Sequence, residues 1–269
     1  MLFSLMLTCC LVSLLAFECR KRRLESKALE DTYATKIKYN YIENNNIVNH
    51  LFPRVVELSI NSNKLKTLDG VAALKQIRRL SLLQCDSLSD ISAVGKLDLL
   101  EELTIQNSPR IVDLSALASI PKLKCLCLVC AGDQSEVSVE VLSQLTHLES
   151  LFVECSEIGL DAIPKTNSLV FLRIFNCDKF SDVEKLEPLV NLEILSFGNC
   201  NGLKKFVPLK GFPKLQYLDF DGCRKLENIR LEKCQNLEVV GIKQCRSLDS
   251  ELIARMQNEN SELTFVIPD

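Results

Sequence analysis

Thirteen cysteines and two histidines are the side chains of this 269-residue chain best suited to chemistry. The tightest cluster, Cys125-x-Cys127-x-x-Cys130, has the donor type of a zinc site. On a strand, however, Cys125 and Cys127 point one way and Cys130 the other. The histidines, His50 and His147, are remote from it in sequence, so these thiols are not expected to hold a metal. Nor does the sequence offer a nucleophile–base–acid set or a glycine-rich phosphate loop, with nine glycines in the whole chain. The expectation is a protein that is not an enzyme and has no cofactor.

Five other cysteines share a different spacing. Cys85, Cys177, Cys200, Cys223 and Cys245 each close a nine-residue phrase, φ-x-x-L-x-φ-x-x-C, with Val240 in the Leu slot of the last. If the phrases stack as parallel strands, the thiols lie roughly 4.8 Å apart with their side chains parallel. A disulfide needs Cβ atoms about 3.5–4.5 Å apart and aimed at one another. Small buried thiols bonding weakly to the turn backbone are expected instead, in a reducing compartment.

The elements that position these residues follow from periodicity. Leu192–Cys200 and Leu215–Cys223 are two copies of the phrase, 23 residues apart. Between them, apolar residues recur every third position: Leu203, Phe206, Leu209, Phe212, Leu215, Leu218. A step of three suits neither a long α-helix nor a strand, but it suits a coil that makes one circuit back to a short strand. The central apolar residues run Leu58, Leu80, Leu103, Leu126, Leu151, Leu172, Leu195, Leu218, Val240, Leu263, at intervals of 21 to 25. That is the signature of a solenoid of about ten turns. In the stretch after Leu126, a short helix capped by Ser135 or Ser138 and carrying His147 is expected. After Cys223 the step shortens to two at Ile229 and Leu231, predicting a strand on the outer side. ELIARMQNEN and SELTFVIPD read as a C-terminal cap and a last strand.

These residues resemble the leucine-rich repeat superfamily, whose consensus is L-x-x-L-x-L-x-x-[N/C]-x-L. SDISAVGKLDLLEEL and VDLSALASIPKLKCL are similar to its short-repeat class, which includes the internalins and the leucine-rich regulatory subunit of protein phosphatase 1. The ninth-position cysteines are similar to those of leucine-rich proteins of protozoan parasites. The resemblance implies an α/β repeat solenoid over residues 52–269, a horseshoe with a parallel sheet on its concave face. One departure is that the usual Asn stands at the ninth position only once, as Asn63.

In each phrase the residues flanking the central Leu point out of the sheet. Early turns offer Glu57, Ser59, Arg79, Ser81, Glu102 and Thr104, a solvated surface. Later turns offer Phe152, Phe171, Phe175, Ile194 and Tyr217, rimmed by Glu154, Arg173, Asp219 and Asp221. An exposed aromatic patch with a charged rim has the anatomy of a protein-binding hot spot. Phe152, Phe171, Arg173, Phe175, Ile194, Tyr217, Asp219 and Asp221 are therefore the expected partner-binding residues. The function expected is a protein–protein interaction module, a scaffold or regulatory subunit, with no small-molecule substrate.

The formal net charge of −3 gives no reason to expect a nucleic-acid partner. Residues 1–17 carry no charge, and Arg20-Lys21-Arg22-Arg23 follow. The order suits a signal anchor that leaves the repeats in the cytosol. A cleavable signal peptide is the other reading, and it would make this a secreted or surface-exposed protein of extracellular recognition. Residues 18–51 read as a basic juxtamembrane stretch and N-terminal cap, weakly helical from Leu24 to Lys38.

Overall fold

The computed structural model describes residues 35–40, 55–129, 137, 139–154, 159–181 and 183–267. The chain divides into two units, Met1–Thr35 and Lys36–Asp269, and the repeats lie in the second. The expectations placed on residues 1–34, and on Cys130, Ser135 and Ser138, lie outside the described residues.

Eleven strands form one sheet: β1 (Thr35–Asn40), β2 (Val55–Asn61), β3 (Arg79–Leu83), β4 (Glu102–Gln106), β5 (Cys125–Val129), β6 (Ser150–Glu154), β7 (Phe171–Phe175), β8 (Ile194–Gly198), β10 (Tyr217–Asp219), β12 (Val239–Gly241) and β13 (Thr264–Val266). Two short strands, β9 (Lys205–Phe206) and β11 (Asn228–Ile229), pair separately. Strand β1 includes Thr35–Lys38, where a weak helical pattern was expected.

From β2 onward the sheet is parallel and in register. Leu58, Leu80, Leu103, Leu126, Leu151, Leu172, Leu195, Leu218 and Val240 are successive partners, all at most 1% exposed. Burying each such side chain contributes about 1.5–3 kcal/mol. The last rung differs from expectation, because Val240 pairs with Phe265 and not Leu263. The helix before it ends at Glu259, and the carbonyl of the next residue, Asn260, accepts from the Leu263 amide. Leu263 is thus held in the turn and the strand starts one residue later.

The step of three has a simple cause. Among the described residues, six turns return through 3₁₀ helices: Val71–Ala73, Ser92–Lys96, Ser115–Ser119, Glu140–Gln144, Leu160–Ala162 and Val183–Leu186. With three residues per turn, a 3₁₀ helix eclipses residues three apart. Leu88, Ile91, Val94, Leu97 and Leu100 accordingly all face the core. Asp90 and Asp113 fix the starts of two of these helices, each accepting from an amide two residues on, of Ser92 and Ser115, at 2.8 Å. The Glu140–Gln144 helix follows Val139, with no side-chain cap, and His147 lies beyond it in an exposed turn rather than within it.

Strands β9 and β11 replace the 3₁₀ helix in the next turns, as the shorter step at Ile229 predicts. Here the step of three fails once: Leu209, expected in the core, is 63% exposed, and Pro208 is buried instead. Gly211 then turns the chain at φ 83, where a Cβ would lie 2.1 Å from the Lys233 carbonyl oxygen. Helix α1 (Ser250–Glu259), capped by the Asp249 side chain, inserts Met256 into the end of the core.

The ninth-position thiols do what the spacing implies. The residue before each cysteine turns the chain through the left-handed region, as at Gln84, Asn176, Asn199, Gly222 and Gln244. Each thiol then points inward and donates to carbonyls. Cys200 Sγ reaches Ile174 O at 3.6 Å and Gly198 O at 3.4 Å, and Cys223 Sγ reaches Phe197 O at 3.2 Å. Cys245 Sγ reaches Phe220 O at 3.1 Å. Burial raises the Cys85 thiol and pushes that of Cys245 up to about 12.

Candidate protein-binding face

Register alone places the predicted residues together. One row across the sheet reads Phe152, Arg173, Ser196, Asp219, Gly241, and a second reads Phe171, Ile194, Tyr217. Phe175 lies beside Gly198 in a third. All eight expected residues therefore share one face of β6, β7, β8 and β10, with Asp221 just beyond β10.

The expected exposed aromatic patch is not what they form. Phe152 is 1%, Phe171 7% and Phe175 8% exposed, so all three are buried. The aromatic exposed among them is Tyr217, at 37%. The reason is cross-strand packing by long side chains. The Arg173 guanidinium carbon lies 5.9 Å from the Phe152 ring centre and 5.8 Å from that of Phe175, a doubled cation–π contact. The Phe175 ring in turn covers Gly198, where a Cβ would sit 1.9 Å from Phe175 Cδ2. The rings form a floor, and Ile194, Tyr217, Arg173, Glu154 and Asp221 remain partly accessible around it.

Charge is concentrated on that floor. Asp219, expected on the rim, is itself buried. Its Oδ2 accepts from Ser196 Oγ at 3.0 Å and its Oδ1 from the Asp221 amide at 3.3 Å. Burial raises its pKa against these hydrogen bonds and the opposing pull of Arg173. Burial likewise raises Glu154, whose Oε1 accepts from Asn176 Nδ2 at 2.7 Å. Burial pulls Arg173 down, while Asp219, Tyr217, Asp221 and Glu154 hold it up. Arg173 Nε is buried and has no hydrogen-bond partner among the described residues.

Ser196, Gly198, Gly241 and Asn176 complete this arrangement and were not among the expected site residues. The two glycines carried the signal: glycine at an outward strand position marks a close approach. Gly241 is such a place, where a Cβ would lie 2.3 Å from Asp219 Oδ1. Cys125 and Cys127 lie one strand away from Phe152, and burial pushes Cys127 up to about 12. Among the described residues no group of three His, Cys, Asp or Glu is placed to hold a metal ion.

A parallel sheet backed by 3₁₀ turns, with one polar donor per turn, defines an open α/β repeat solenoid. The fold is that of the leucine-rich repeat superfamily, in its horseshoe-like form. An internalin of Listeria monocytogenes shares it at TM-score 0.55 and 18% identity, over 81% of this chain and 70% of that one. Internalin C2 of the same species does so at TM-score 0.51 and 20% identity, over 69% and 80%. No family model matches the chain. A Trypanosoma equiperdum protein, provisionally described as an adenylate cyclase regulatory protein, is 29% identical over 165 residues. The match spans 60% of this chain but only 26% of that protein's length.

Proposed function

We propose that the chain works as a non-enzymatic protein-interaction module that engages a protein partner through the concave sheet face of β6–β10. The observation that carries this reading is the convergence of Phe152, Phe171, Arg173, Phe175, Ile194, Tyr217, Asp219 and Asp221 on four adjacent strands. A rigid aromatic floor with charged groups around it resembles the core and rim of a protein interface. A regulatory role for the partner contact draws support from the description of the trypanosomal relative. The test is a photo-reactive residue placed at position 217, and separately at 81 on the polar face of β3. Cross-linking of one defined polypeptide from 217 and none from 81 is the expected result; the reverse overturns the assignment of the face.

Tethering through residues 1–17 is part of the proposal and rests on their apolar run and the basic quartet after it. Among the described residues no helix is long and apolar enough to cross a membrane. Protease added to intact membranes should digest the repeats from the cytosolic side alone. Protection there, with an N-terminus starting near Phe17–Arg20, would make the protein a secreted one.

A further inference from the structure

Resting on the tethering reading of residues 1–17, we propose that the repeats carry a second contact surface: a basic flank that lies against the anionic headgroups of the same membrane. Residues 201–246 hold ten Lys and Arg against five Asp and Glu, in a chain whose formal net charge is −3. Six of the ten, Lys204, Lys205, Arg224, Lys225, Arg230 and Arg246, follow the C-terminal ends of β8, β10 and β12 on three successive turns, and all are exposed. The pairing of β9 with β11 sets the first two turns side by side, and Ser247 Oγ joins the third by donating to the Arg224 carbonyl at 2.8 Å. With turns about 4.8 Å apart, the cations gather on one flank.

The fold makes no use of these six charges. None of them enters an ion pair among the described residues, whereas Arg78, Arg79, Lys124 and Lys185 of earlier turns each meet a carboxylate. On the same flank of the early turns, five residues after the ninth position, stand Asp90 and Asp113, whose carboxylates start 3₁₀ helices. Lys205 and Asn228 take that place where β9 and β11 replace the helix, so the acid has no task there. The nearby Asp178 and Asp249 are each tied to a backbone amide, of Asn201 and Leu252, and Glu227 stands exposed beside the cations. Charge thus calls for an anion. Phe206, Phe212 and Phe220 are buried and Tyr217 lies on the sheet face, so no ring stands among the cations for a nucleic-acid base to stack on. An acidic leaflet needs none, and a tethered chain meets it at a far higher effective concentration than a free polyanion. Each Lys or Arg near such a surface tightens the contact about fivefold. Because the cations lie beyond the strand ends, the flank can rest on the leaflet while the sheet face stays open to the partner.

The test floats the full chain with vesicles of phosphatidylcholine alone, or of phosphatidylcholine mixed with phosphatidylserine. A photo-reactive residue stands at position 228, among the cations, or at position 216, at the exposed entry of β10. Position 228 should cross-link lipid at least about tenfold more in the anionic vesicles, and high salt should abolish the difference. Lys204→Glu with Arg224→Glu should remove it at an unchanged circular dichroism spectrum. Lys122→Glu, which reverses one exposed charge on an early turn, should leave it as it was. Equal labelling in both vesicles, or from 216 as from 228, overturns the proposal. So does an equal loss with Lys122→Glu, which would mean diffuse attraction. Retention of duplex RNA with no lipid cross-link would give the flank to a nucleic acid instead. A chain that floats with both vesicles but is unlabelled at 228 loses the flank and keeps the tether. One absent from neutral vesicles yet recruited and labelled at 228 by anionic ones keeps the flank and loses the tether.

Discussion

On β2–β4 the outward side chains form pairs from one turn to the next. Glu57 meets Arg79 at 3.1 Å, with Ser59, Ser81 and Thr104 along the next row, and Arg78 meets Glu101 just before β3 and β4. On β6–β10 the same backbone positions carry Phe152, Phe171, Phe175 and an arginine whose Nε has no hydrogen-bond partner among the described residues. The backbone ladders are alike, since register is set by the inward leucines. The outward positions are therefore free to vary without changing the fold. They stay surface while small or paired. Once large enough to touch across strands, they become a second, outer layer of packing, and part of the stability moves to the outward face of the sheet.

The sharpest way to break this comparison is to truncate equivalent positions of the two halves. Phe152 and Ser59 lie in one row, but only Phe152 is buried. Phe152→Ala should lower unfolding free energy by about 3–5 kcal/mol. Ser59→Ala should change it by less than about 0.5 kcal/mol. Both are read by urea denaturation, and a small effect at Phe152 would return it to the surface. Next comes Gly198→Ala, which forces the Phe175 ring off the sheet and should cost about 1–3 kcal/mol. Loss of the Phe175 near-ultraviolet signal would accompany it.

A smaller effect separates the halves by pH. Burial raises Glu154, so its ionised form burdens the folded state above the raised pKa, and the burden vanishes below the ordinary carboxylate range. Glu154→Gln keeps an acceptor for Asn176 and should raise Tm at pH 7 but not at pH near 3. Asp90 and Asp113, in the early turns, run the other way. Amide donors hold both below the ordinary value, so their contribution is present at neutral pH and lost as pH falls through the lowered values. Asp90→Ala should lower Tm slightly at pH 7, with the difference gone in strong acid. The same sign from Glu154→Gln and Asp90→Ala would refute the contrast.

Most of the fold was legible because a solenoid writes its register into every turn. Nine of the ten central residues pair as the spacing implies. The exceptions sit where local backbone overrides periodicity: Leu209, displaced by Pro208 beside a left-handed Gly211, and Leu263, held in the turn after α1. For the site, facing was legible and burial was not. Alternation along a strand tells that Phe152 points outward. It cannot tell that Arg173 and Phe175, 21 and 23 residues later in sequence, will reach across to join it.

The buried sulfurs have a consequence in the time domain. A thiol reacts as its thiolate and must meet the reagent, and Cys85, Cys223 and Cys245 are held protonated in the core with at most 7% exposed. Each can be alkylated only while its own turn is open. In a chain whose turns touch only their neighbours, openings are local and differ along the array. The labelling rate of each cysteine is then a clock for one turn. Read together, Cys85 at one end and Cys245 at the other would show from which end the solenoid unwinds.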